Sequence, residues 1–163
     1  MDYVGLTLLI GIGATAVMDL WGILRKPLLG IALPNYGLVG RWFAHMADGH
    51  FRHESIAAAA PVRGERLIGW AVHYLTGIAF AALLIAIWGI EWVRQPTPGP
   101  ALIVGIGTVL APFLLMQPGM GAGIAASRTP RPGAARLQSL LTHAVFGFGL
   151  YATAWVARSF YSP

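Results

Sequence analysis

The sequence predicts an all-α integral membrane protein, a four-helix bundle with a long polar loop between its first two spans. Three observations predict it. The chain has 163 residues, of which 56% are hydrophobic and 10% charged, against roughly 25% charged in an ordinary soluble domain. So much apolar surface exceeds what one domain of this length can bury in water. The apolar residues fall into four runs, 3–24, 67–90, 101–117 and 137–157, near the ~20 residues that cross hydrocarbon as a helix. Finally, Arg25, Lys26, Arg41, Arg52, Arg63, Arg66, Arg128, Arg131 and Arg136, nine of the eleven basic residues, fall on or beside two alternate loops. That asymmetry is the one that orients membrane proteins. It accounts for the net charge of +5 without nucleic acid as a partner.

The first run, 3–24, has Asp19 as its only charge. Ala14-Thr15-Ala16 resembles a signal-peptidase site, but Asp2 and the lack of a basic residue before the run argue for a retained span. Arg25, Lys26 and Pro27 are expected to end it. The loop 25–66 holds three of the five histidines, His45, His50 and His53. Within it, residues 37–47 read as a short amphipathic interfacial helix, and Ser55 to Ala60 as another helical turn. Span two, 67–90, contains His73 and ends in the interface anchors Trp88 and Trp92. A Pro-rich connection leads to span three, 101–117, where Pro112 is expected to kink the helix. Beyond Gln117 the apolar character resumes through a Gly-rich segment, so the span either stops there or runs on. Span four, 137–157, contains His143.

The chain reads as one membrane domain, 1–163. Four spans put both termini on one side, periplasmic by the positive-inside rule, and the loop 25–66 in the cytoplasm of a bacterial cell. With an offset of 70, Arg66, His73 and Gly77 align with Arg136, His143 and Gly147, and Gly11-Ile12-Gly13 resembles Gly105-Ile106-Gly107. The match suggests two parallel helical-hairpin repeats.

Two groups of residues carry candidate chemistry. His45, His50, His53 and Glu54 have the donor types of a divalent metal site for Zn, Fe or Mn, and Arg52 beside them can hold a carboxylate or phosphate. Their spacing matches no full metal signature, and the plainer reading is a loop closed by its own hydrogen bonds. Asp19, His73, Gln117 and His143 fall at similar depth, roughly 10 Å inside the cytoplasmic edge, and form an expected buried polar layer. There, Asp19 is expected to reach His73, His143 or Gln117, since ionisable groups in a span turn inward and pair. His73 and His143 are alternatively axial haem ligands, with the flanking glycines leaving room for the macrocycle. Arg41, Arg63, Arg66, Arg128, Arg131 and Arg136 are candidate contacts to anion or lipid headgroup.

These residues support three function classes without identifying a reaction. The first is a membrane protein binding a metal ion or small polar ligand at the loop. The second is a non-catalytic subunit or assembly factor of a larger membrane complex. The third is a proton-coupled small-solute transporter, in which a second copy supplies the missing spans. Neither a GxSxG serine nor a dinucleotide fingerprint is present, and the absence of cysteine removes thiol chemistry.

The strings MDLW (Met18 to Trp21), PNYGLVGRW (Pro34 to Trp42), FRHESIA (Phe51 to Ala57), VRGERLIGW (Val62 to Trp70) and LMQPGMGAGIAASRTPRP (Leu115 to Pro132) run across most of the chain. On them the chain resembles a family of small bacterial integral membrane proteins known as domain of unknown function 2938. The resemblance implies a membrane protein of one domain and assigns no role to any residue.

Overall fold

Four helices in the structure, a computed structural model that describes residues 2–160, are long and apolar enough to cross a membrane. They are Tyr3–Leu29, Glu65–Trp88, Pro98–Gly119 and Pro132–Phe160. Only 22–39% of their most apolar windows is buried within the protein. A soluble chain would not leave leucines and isoleucines outward on four helices at once. A lipid-facing surface demands it. No strand occurs among the described residues.

Helix α1 (Tyr3–Leu29) starts where the Asp2 carboxylate accepts the Gly5 N–H at 2.8 Å. It runs five residues past its expected end at Leu24. Proline in a last helical turn forfeits one hydrogen bond, and the turn is closed instead by Gly30 at φ 67°, whose N–H reaches the Lys26 carbonyl at 3.0 Å. Helix α2 (Tyr36–Ala47) is the expected short amphipathic element, and Ile56–Ala58 is one 3₁₀ turn. Helix α3 (Glu65–Trp88) stops at Gly89, at φ 75°. One turn, α4 (Glu91–Arg94), then carries Trp92 and Val93 into the core.

The third span begins earlier than expected, with Pro98 in the first turn of α5 (Pro98–Gly107), where a missing N–H costs nothing. It also continues past Gln117. From Pro112 to Met116 the helix widens to π geometry, with the Gln117 N–H bonded to the Pro112 carbonyl. The extra residue per turn relieves the clash a proline makes with the carbonyl four residues back. The last turn, α6 (Gln117–Gly119), ends the span two residues beyond Gln117. Helix α7 (Pro132–Ala157) starts five residues before its expected first residue.

The residues form two compact units. Unit one comprises 2–33, 74–108 and 140–160, and is a four-helix bundle of α1, the later part of α3, α5 and the later part of α7. Its core is aliphatic: Leu6, Ile10, Ala14, Leu84, Ile85, Val104, Leu150 and Ala154 are at most 5% exposed. Two glycine crossings let helix backbones touch. Gly11 of α1 meets Gly77 and Ile78 of α3, and Gly105 of α5 meets Gly147 of α7. These glycines, Gly77 with Gly147 and Gly11 with Gly105, are the ones aligned in the sequence. Small residues serve this purpose where lipid supplies no hydrophobic drive to association.

Unit two comprises 34–73 and 109–139. Here α2 crosses the first turns of α3 through Gly40 and Gly69: a Cβ on Gly40 would strike the Glu65 carbonyl, and one on Gly69 the Tyr36 carbonyl. The segment from His53 to Ile56 binds the end of the third span, with His53 N–H to Gly119 O at 2.9 Å and Ile56 N–H to Met120 O at 3.1 Å.

Candidate functional site

In unit two, Arg41 organises the polar loop. Its Nε and Nη2 donate to the two Glu65 oxygens at 2.8 and 2.9 Å, a bidentate fork. Its Nη1 donates to the carbonyls of Ile56, Ala57 and Ala59. Glu65 also accepts the Val62 N–H at 3.0 Å. The hydrogen bond to Glu65 raises the Arg41 pKa above its ordinary value, so the pair stays ionised. Arg41 is thus engaged within the protein, whereas Arg63, Arg66, Arg128, Arg131 and Arg136 are exposed. Arg136 Nε donates to the Ala125 carbonyl at 2.8 Å.

The five-residue loop site divides in two. His45 and His53 meet, Nδ1 to Nε2, at 2.8 Å. The far side of the pair ends on carbonyls, His45 Nε2 to Ala60 O at 3.1 Å and His53 Nδ1 to Gly119 O at 3.4 Å. His50, Arg52 and Glu54 are exposed. At the end of α2, Gly49 adopts φ 80° and the His50 N–H bonds the His45 carbonyl at 2.9 Å. This C-cap spends the His50 backbone on the turn. Three ring links need three N–H protons, and two neutral imidazoles carry two. A neutral pair makes the two shorter links with Nε2–H on both rings.

This geometry does not support the metal expectation. Two ring nitrogens on one zinc at 2.0–2.1 Å stand about 3.4 Å apart in a tetrahedral site; these touch directly. Among the described residues no group of three or more His, Cys, Asp or Glu side chains converges for a metal ion.

The groups of the expected polar layer have a shared feature of another kind. In unit one, the Tyr74 hydroxyl donates to Asp19 at 3.0 Å. His143 Nδ1 lies 3.0 Å from the Thr108 hydroxyl, which itself donates to the Gly105 carbonyl at 2.7 Å. Arg25, only 7% exposed, donates to the Thr142 hydroxyl at 3.3 Å. In unit two, His73 Nε2 is 3.1 Å from the Tyr36 hydroxyl, and the two rings stack at 4.2 Å. Each of these ionisable side chains therefore holds a hydroxyl. Gln117 Oε1 is buried and has no partner among the described residues. The haem reading loses its basis at His73, whose Nε2 is engaged by Tyr36. It loses it again at Gly77 and Gly147, whose open sides are filled by Gly11 and Thr15, and by Ala101, Leu102 and Gly105.

Tyr36, Tyr74, Thr108, Thr142 and Arg25 are the site residues that sequence reasoning missed. The only signal was adjacency: Tyr74 follows His73, and Thr142 precedes His143.

Four apolar helices with ionisable groups held inside them define a multi-span membrane protein. The chain belongs to the family described as "Protein of unknown function (DUF2938)", whose family model matches residues 8–157. No curated protein matches the chain. No solved structure matches it.

Proposed function

We propose that this protein is a proton-coupled transporter of a small polar solute, working as a second-copy or larger assembly in the bacterial cytoplasmic membrane. The observation that carries the reading is the hydroxyl held by each ionisable side chain at membrane depth: Asp19 with Tyr74, His143 with Thr108 and His73 with Tyr36. A hydroxyl both donates and accepts. The Tyr74 and Tyr36 hydroxyls can keep their hydrogen bonds when the partner gains or loses a proton, and Thr108 can do so by turning its O–H from the Gly105 carbonyl to His143. Ionisable groups kept inside spans at a cost of several kcal/mol mark proton and substrate paths. The π-helical turn at Pro112–Met116, beside a buried Gln117 Oε1 with no partner among the described residues, adds support, since such turns gather at working sites.

Liposomes loaded with a pH-sensitive dye test this. A mixture of amino acids, small carboxylic acids and phosphate is placed outside, with an imposed pH gradient and valinomycin to balance charge. Proton entry is expected to exceed that of empty liposomes. Asp19→Asn retains an oxygen for Tyr74 but cannot titrate, and its entry rate is expected to fall to the empty-liposome rate. Wild-type protein that leaves proton entry at the empty-liposome rate sinks the reading.

The loop supplies a second reading, in which the exposed His50, Arg52 and Glu54 bind a small polar ligand on the cytoplasmic side. Their exposure beside the ordered His45–His53 pair favours it. Transport lost by Asp19→Asn and unaffected by Arg52→Gln would set it aside.

A further inference from the structure

Arg25 carries a buried charge that no described residue neutralises. It is 7% exposed. Its Nη1 and Nη2 reach the Thr142 hydroxyl and the Ala32 carbonyl, each at 3.3 Å, beyond the usual range for such bonds. Its Nε is buried without a partner among the described residues. Among the described residues Arg25 makes no ion pair, unlike Arg41 with Glu65 and Arg94 with Glu91. A guanidinium taken out of water with no counter-charge is strongly unfavourable. The negative end of the α1 dipole offsets only a small part of that.

The local chain folds back over Arg25. Gly30 turns the chain at the end of α1, and Leu33 comes back against Gly22. That return sets the Ala32 carbonyl on the guanidinium. Thr142, on α7, accepts from Arg25, and its hydroxyl can also donate. Depth then selects the ligand. Arg25 stands 22 residues after Tyr3 on one helix, about 33 Å along it. The hydrocarbon is about 30 Å thick, so with Tyr3 at one boundary Arg25 reaches the phosphate level of the other. Lys26 beside it is exposed.

We infer that Arg25 and the Thr142 hydroxyl form a binding site for a phosphate-type oxyanion. The anion comes either from a lipid headgroup or from free phosphate. The site is a statement about binding, and it stands whether or not protons move through the protein.

The test uses the full chain in phosphate-free maltoside micelles, alone, with inorganic phosphate, or with phosphatidylglycerol. Wild type and Arg25→Met are melted in each. In bare micelles Arg25→Met is expected to melt at or above wild type, because it removes an uncompensated charge. Wild type is expected to rise by several degrees with one addition, and Arg25→Met with neither. A rise with phosphatidylglycerol alone identifies a lipid headgroup, and a rise with inorganic phosphate identifies the free ion. Equal rises in both proteins place binding on the exposed arginines and overturn the inference. So does a wild type that responds to neither addition, or an Arg25→Met that melts below wild type in bare micelles, which is the mark of a purely structural arginine. Where Arg25→Met does not fold, Arg25→Lys replaces it: the charge remains, the fork is lost, and most of the wild-type rise should vanish. A full rise in Arg25→Lys overturns the inference.

Discussion

Gly40→Val or Gly69→Val is expected to undock α2 from α3 and destabilise unit two by about 3 kcal/mol or more, the upper range for overpacking. In both cases the new side chain would meet main-chain atoms: Glu65 O for Gly40, Tyr36 O for Gly69. A flexible side chain can swing aside, but a carbonyl in a helix cannot without breaking the helix. The loss reaches the loop as well. Glu65, which receives the Arg41 fork, sits at this crossing, and so does Tyr36, which holds His73. Thermal melts in detergent should drop by many degrees, with rapid proteolysis between 50 and 64. A variant that melts like wild type would mean that α2 does not cross α3 as described.

Gly147→Leu is expected to be comparably severe in unit one. Its open face is taken by Ala101 O, Leu102 Cα and Gly105 Cα. A leucine there must push α5 from α7, which also breaks the approach of His143 to Thr108 and the Gly105 carbonyl. We expect a loss of about 3 kcal/mol. Gly107→Ala is the matched control. Nothing lies within 4 Å of its added Cβ, so the change should be neutral or stabilising by up to about 1 kcal/mol. Equal melting temperatures for the two variants would remove the helix crossing from the account.

The spans were legible in the sequence because lipid imposes one simple rule on composition, and the rule holds over twenty residues at a time. The crossing glycines were legible for a related reason: backbone contact admits only the smallest residue. Helix ends were less so. Pro27 and Pro132 stand at opposite ends of helices, where proline is tolerated inside the helix, and the span boundaries moved accordingly. Side-chain partners were the least legible. A tyrosine or threonine inside an apolar run changes hydropathy little, so nothing marked Tyr74 for Asp19 or Thr108 for His143. The pairing of His45 with His53, and not with His50, depends on a left-handed glycine at position 49 that turns the chain between them. Hydropathy presents Arg25 only as a charge that ends a span. Its burial follows from the fold-back at Gly30, which hydropathy does not register.

The transport reading rests on Asp19 changing protonation while Tyr74 stays bonded to it. Infrared difference spectroscopy of the folded protein, recorded while the pH is lowered, tests this directly. The account predicts a carboxylic-acid carbonyl band that grows on acidification, shifts in Tyr74→Phe and disappears in Asp19→Asn. A spectrum without an Asp19-dependent band over the whole range in which the protein stays folded would contradict it.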